Sequence, residues 1–309
     1  MKLNKILLGL ALFCASNTLY AQVASIPFAF NGKHLYIKIK TLKSRDLNFV
    51  FDTGATGATI DSATAENAGI SKTGRETVNI AGSGGSQDYV IVPGQSLTLG
   101  SVTISPVELT MVNFSNLSGV MGVKLDGILG FELLERYVTL VDFDQSKLVM
   151  YKGINEADTT GYTGIPFEFS KGINIPRFPI TITLANGETF TGKVMFDTGN
   201  GFSLIVSTPF SKFHNFQEKI GDTKVTMGRG MNAVTQDQLA NIKAMSFNGF
   251  TFGTMGIRLT VNEKAEARDG YLGVLGIEVI KRFNIILDYV HKKIYLKPNK
   301  AYFDSFSQN

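Results

Sequence analysis

Phe51-Asp52-Thr53-Gly54 and Phe196-Asp197-Thr198-Gly199 are the same four residues written twice, 145 positions apart, in a chain of 309. A second pair of motifs follows at a matched distance: Gly127-Ile128-Leu129-Gly130 and Gly273-Val274-Leu275-Gly276, 146 apart. Past these, Glu132 answers Glu278, Arg136 answers Arg282, Asp142 answers Asp288 and Lys147 answers Lys293. Separate coincidences would not hold two motifs and the interval between them to within one residue. The chain is an internal repeat.

Working outward from those motifs, most of the chain alternates with the period of a strand. Leu35, Ile37 and Ile39 interleave with Tyr36, Lys38 and Lys40; Ile180, Ile182 and Leu184 interleave with Thr181 and Thr183. Asn186-Gly187 follows at once and predicts a two-residue hairpin, with Phe190 and Val194 on the return. Helical patterns are short: Asp61 to Ala68, with Asp61 as N-cap, and the residues just after Gly130 and Gly276. A mostly β protein is expected. The repeat sets its limits: a first lobe over 22–152, a polar linker over 153–163, a second lobe over 164–298 and a loosely held tail over 299–309.

Composition bounds the remaining options. Hydrophobic residues make up 44% of the chain and charged residues 18%, enough apolar material for two domains, each with its own core. Residues 1–21 read as a signal peptide: Lys2 and Lys5 form a positive start, Ile6 to Phe13 an apolar stretch too short to stay in a bilayer, and Leu19-Tyr20-Ala21 a cleavage site before Gln22. A retained anchor is the alternative. Phe13 before Cys14 does not fit a lipid-attachment box, so export to a periplasm or the outside is expected, without stable membrane insertion. The mature chain then lacks cysteine and any disulfide, and its 28 basic residues balance 26 acidic ones. The basic residues form no stripe, so no nucleic-acid partner is expected.

A single Asp-Thr-Gly is more often a turn than a site. Two copies, each after an apolar strand, change the argument. Homologous lobes tend to pack about a pseudo-two-fold axis, which sets equivalent residues face to face. Asp52 and Asp197 would then lie within hydrogen-bonding reach, and two carboxylates that close cannot both ionise comfortably. Sharing one proton, the pair holds a base and an acid in one place. Each half also carries a glycine-rich tip about thirty residues past its aspartate: Gly82, Gly84 and Gly85 in the first, Gly228 and Gly230 in the second. A surface turn explains either tip alone; their matched positions favour paired flaps.

These residues resemble the aspartic proteases of the pepsin and retropepsin clan, over essentially the whole mature chain. The form is that of a bacterial-type secreted protein with two retropepsin-like units in tandem. The resemblance implies two homologous β-barrel lobes related by a pseudo-two-fold axis, with a cleft between them. It implies Asp52 and Asp197 as the catalytic pair. Thr53 and Thr198 would brace the opposite loops, and Gly54 and Gly199 would permit the tight turn and offer N–H groups to the carboxylates. The shared-proton logic is that of the clan itself. Hydrolysis of a peptide or unfolded protein follows, with no cofactor, and by a monomer, since one chain supplies both aspartates.

Ala55 and Asn200 depart from the pepsin pattern, which places a hydroxyl there. The pair should titrate higher than in pepsin and favour a mildly acidic optimum. Two flaps resemble a retroviral dimer fused in tandem, able to close over an extended peptide. Tyr89, on the first flap, is read as an ordinary strand aromatic. Asp142 and Asp288 are read as turn caps, and Glu132–Arg136 and Glu278–Arg282 as surface ion pairs. His34, His214 and His291 share no ligand spacing, so no metal site is expected. No Gly-x-Ser-x-Gly and no phosphate loop occurs. Two other readings stand beside the protease: a non-catalytic peptide- or glycan-binding protein on the same scaffold, and a glycosidase, which would need carboxyls about 5 Å or more apart.

Overall fold

Strands form where the alternation predicts them. Leu35, Ile37 and Ile39 are fully buried in the strand Leu35–Ile39, which pairs antiparallel with Leu47–Phe51, the strand that runs into Asp52. The computed structural model describes residues 22–41, 45–82, 85–229 and 234–306. The expected leader and two of the flap glycines, Gly84 and Gly230, lie outside the described residues.

The protein is mostly β and builds two sheets. In hydrogen-bonded order the larger runs Thr163–Pro166, Lys293–Pro298, Phe283–Asp288, Val138–Asp142, Lys147–Tyr151, Ala24–Phe30, Leu35–Ile39, Leu47–Phe51, Gly127–Leu129, Ala58–Asp61, Val102–Val112, Gly85–Leu99 and Thr77–Gly82. The smaller runs Lys224–Arg229, Val234–Ile242, Met255–Thr260, Leu204–Val206, Tyr271–Leu275, Thr189–Phe196, Ile173–Thr183, Ala244–Phe247 and Phe250–Phe252, with Glu168–Ser170 beside Ile173–Thr183. Neither order closes into the barrel that the resemblance implies.

One pairing scheme surrounds both Asp-Thr-Gly loops. Leu47–Phe51 runs parallel to Gly127–Leu129, which is antiparallel to Ala58–Asp61, itself parallel to Val102–Val112. Thr189–Phe196, Tyr271–Leu275, Leu204–Val206 and Met255–Thr260 repeat that scheme.

The halves are not self-contained. The hairpin of Phe283–Asp288 and Lys293–Pro298 leaves its own half and pairs with Val138–Asp142, so the larger sheet takes strands from both. The expectation of one core per half gives way accordingly. A single cluster of buried apolar side chains includes Phe49 and Leu133 as well as Phe196 and Ile285.

Local expectations fare differently. Asp61 caps the helix Ser62–Asn67, accepting from Thr64 N at 3.0 Å, and short helices follow Gly130 and Gly276. Asp142 and Asp288 cap their turns by accepting from Gln145 N at 2.9 Å and His291 N at 3.1 Å. The hairpin at Asn186-Gly187 has a three-residue loop, not two. Gly187 N donates back to Leu184 O, Leu184 N donates to Glu188 O, and Gly187 takes a φ of 88°, the left-handed end of a turn with a bulge.

The expected surface ion pairs do not form. Arg136 pairs with Glu135 at 3.0 Å, and Glu132 turns inward, where its Oε1 accepts from Ala58 N at 2.6 Å. Arg282 is buried, and its guanidinium donates to the carbonyls of Ala301, Tyr302, Asp304 and Ser305 while lying 3.9 Å over the Phe306 ring. The tail is therefore pinned through its described residues rather than loose, because carbonyls that would otherwise need water find a buried cation.

Candidate active site

Each Asp-Thr-Gly loop is fixed first from behind. Asp52 N donates to Leu129 O and Asp197 N to Leu275 O, both at 3.0 Å, so the second repeated motif seats the first. Its closing glycine is a steric necessity. A Cβ on Gly130 would stand 1.9 Å from Asp52 O, and one on Gly276 would stand 2.2 Å from Phe202 O.

The two loops then brace each other. Thr53 N donates to Thr198 Oγ1 and Thr198 N to Thr53 Oγ1, each at 3.0 Å. The Thr53 hydroxyl donates across to Phe196 O at 2.7 Å, and the Thr198 hydroxyl to Phe51 O at 3.1 Å. Both threonines are buried, so these bonds form where water cannot replace them.

Above the brace the carboxyls of Asp52 and Asp197 hydrogen-bond to one another. Each glycine of the motif lies flat against the opposite aspartate: a Cβ on Gly54 would meet Asp197 Cγ at 2.4 Å, and one on Gly199 would meet Asp52 Cγ at 2.4 Å. Gly54 N donates to Asp52 Oδ1 at 2.7 Å, and Gly199 N to Asp197 Oδ1 at 2.8 Å. The structure thus brings together all six residues of the two motifs.

The surroundings of the two carboxyls are unequal. Asn200 N adds a bond to Asp197 Oδ1 at 3.0 Å, whereas Ala55 N donates to the Asp52 backbone carbonyl. Burial raises the pKa of Asp52, partly opposed by bonds from Asp197, Gly54 and Gly199. Burial and then the charge of Asp52 push Asp197 well above the ordinary carboxyl range. The pair retains one proton to a higher pH than either carboxyl would alone.

Three ionisable neighbours of the site gave no signal in the sequence. His34, from the hairpin before Leu35–Ile39, faces the Gly199 backbone; burial lowers its pKa, and that contact offsets part of the effect. Tyr289 is buried against Phe131, Phe167 and Phe169, and burial followed by the charges of Asp52 and Asp197 raises its pKa well above the usual value. Tyr271 is pushed up to about 12 by burial, with Asp197 adding to the shift and Arg177 opposing it. Each meets the loops through contacts between residues far apart in the chain, which no local pattern announces.

The flap candidates divide. Gly82 and Gly85 pair directly, at the facing ends of the antiparallel strands Thr77–Gly82 and Gly85–Leu99. Gly228 lies within a strand, opposite Thr235, where a Cβ would meet Asp237 Oδ2 at 2.6 Å and Arg258 Nη1 at 2.7 Å. Its role is to let the backbone pass over a buried ion pair. Tyr89 is buried with Tyr36 and Val50, a packed strand aromatic.

Residues 37–133 match the family model described as aspartyl protease, a span holding the first Asp-Thr-Gly and the first Gly-Ile-Leu-Gly. It covers just under a third of the chain and supports an aspartic-protease, hydrolase assignment. Among curated proteins no sequence matches.

Proposed function

We propose that the protein is an aspartic endopeptidase in which Asp52 and Asp197, holding one proton between them, activate a water against a peptide bond. The observation that carries this reading is the hydrogen-bonded carboxyl pair on two cross-braced loops. The ionised carboxylate draws a proton from the water while the protonated one donates to the scissile carbonyl oxygen. Proton count balances: the pair gives one and takes one. Carboxyls in hydrogen-bond contact leave no room for the water of an inverting glycosidase, nor the separation that a retaining one uses.

In the same reading, 22–152 and 164–298 are the two lobes about a pseudo-two-fold axis, and the hairpins after Thr77 and Lys224 are flaps over an extended peptide. Export follows from the leader read in residues 1–21, and the working unit is a monomer. Asn200 N takes up the donor role that a hydroxyl serves in pepsin-like enzymes, but only on the Asp197 side. An optimum in mildly acidic solution follows, because Asp52 lacks that donor.

The test is cleavage of denatured protein and a peptide library across mildly acidic pH, with and without a statine-type inhibitor. Asp52→Asn and Asp197→Asn should each lower kcat/KM by about 10³-fold or more. Inhibitor-sensitive cleavage lost in both variants supports the pair. Binding without cleavage by the unaltered chain would move the assignment to a peptide- or glycan-binding scaffold, and activity surviving in either variant would sink the dyad.

A further inference from the structure

The face of the sheet that carries Asp197 is lined differently from the face that carries Asp52. Strand residues two apart share a face, so Met195 lies on the side of Asp197, and Val50 on the side of Asp52. Arg177 pairs directly with Met195, as Tyr36 pairs with Val50. Val274 stands beside Met195 and Ile128 beside Val50. Tyr271, two residues before Gly273, corresponds to Leu125, two before Gly127.

In the first half Tyr36, Val50 and Leu125 are buried together with Tyr89 and Phe114, and Ile128 packs against them partly buried. In the second half Arg177, Met195, Tyr271 and Val274 are all only partly buried. The Asp197 side therefore leaves accessible side-chain surface where the Asp52 side buries it.

That surface includes a cation with no ion-pair partner among the described residues. The Arg177 guanidinium lies 4.9 Å from the centre of the Tyr271 ring, and the Tyr271 hydroxyl reaches Met195 Sδ at 3.5 Å. Arg177 Nη1 donates to Ser170 Oγ, but its buried Nε has no hydrogen-bond partner among the described residues. Glu168, directly across from Arg177 in the register, gives its carboxylate to Lys193 Nζ at 2.7 Å. Arg177 itself joins no ion pair among the described residues. An arginine resting against an aromatic ring and joined to no carboxylate among the described residues is suited to receive one.

We propose that Arg177 and Tyr271 form a subsite beside Asp197 that takes a carboxylate of the bound peptide, next to the bond being cut. This rests on the protease reading. The carboxylate has two possible sources, a Glu or Asp side chain or a chain end, and the same chemistry receives both.

The experiment places Glu, then Gln, at each position around the scissile bond of one fluorogenic peptide, and adds peptides ending there as free acid or amide. At one position Glu should raise kcat/KM about 10- to 100-fold over Gln. If the chain end is the source, the free acid gains over the amide and internal Glu does not. Arg177→Met should erase the gain of Glu over Gln, and Arg177→Lys should retain part of it. The same Glu and Gln peptides bound to the Asp52→Asn protein, read by fluorescence anisotropy, give the preference without turnover. If no peptide is cut yet Glu is still bound better through Arg177, the protease reading fails and the subsite stands. Equal treatment of Glu and Gln at every position together with equal treatment of free acid and amide, or a preference that persists in folded Arg177→Met, overturns the subsite.

Discussion

Around Asp52 and around Asp197 the backbone pairing is the same, but the side chains on the two hairpins that follow are not. Thr110 of the first half and Arg258 of the second hold equivalent places, each on the parallel neighbour of the strand after the loop, opposite Thr59 and Ile205, which pair with Ile128 and Val274 of the second motif. Tyr89 and Asp237 likewise lie two residues before the partners of those positions, Ile91 and Leu239. Tyr89 is buried among Tyr36, Val50, Val112 and Phe114. Asp237 is buried against Arg258 at 3.1 Å, and that guanidinium stacks 3.5 Å over Phe202, just past the second loop. Hydrogen-bonded geometry is dictated by the glycines and threonines of the motifs, which leaves the lining free to be apolar in one half and ionic in the other.

The sharpest way to break this comparison is to remove the ion pair from the second half. Arg258→Met leaves Asp237 buried without its cation and should lower stability by about 3–5 kcal/mol in urea unfolding. Arg258→Met with Asp237→Leu should recover most of that loss, since an apolar pair of similar volume often replaces a buried ion pair without harm. If the single variant is as stable as the parent, the ion pair is not what holds the second hairpin.

The shared part of the comparison predicts equality. Thr53→Val and Thr198→Val each remove one hydroxyl that donates and accepts across the brace, at about 1–3 kcal/mol apiece. Chemical denaturation should give matching losses, and clearly unequal ones would mean that the two loops do not share the brace as the distances suggest.

A smaller effect follows from the shared proton. A carboxyl whose folded pKa is raised contributes most below its unfolded pKa, and that contribution is lost as pH rises through the folded value. Burial and the neighbouring charge raise Asp197. Asp197→Asn should therefore raise Tm by about 2–4 °C at pH 7 and change it little near pH 3, where both forms are protonated. Thermal melts at the two pH values check the sign; a Tm increase confined to low pH would reverse the assignment of cause.

Much of the site was legible because it is local. Asp-Thr-Gly, the apolar strand before it and the Gly-x-x-Gly that seats it are contiguous residues whose spacing the repeat preserves. Arg282 shows where reading stopped. Its spacing from Glu278 promised a surface ion pair, while its real partners are the carbonyls of Ala301 to Ser305. Arg177 gave no warning either, since its significance depends on Tyr271, nearly a hundred residues away, and on Glu168 being engaged by Lys193.

From the sequence alone came the β character, the doubled motif and the two aspartates, because steric demands on glycine and the period of a strand act over a few residues. Only tertiary structure decided that the last hairpin crosses to the other half's sheet, that Glu132 turns inward and that the two walls beside the carboxyls differ. Those outcomes depend on which distant surfaces meet and on which polar groups are left without water when they do.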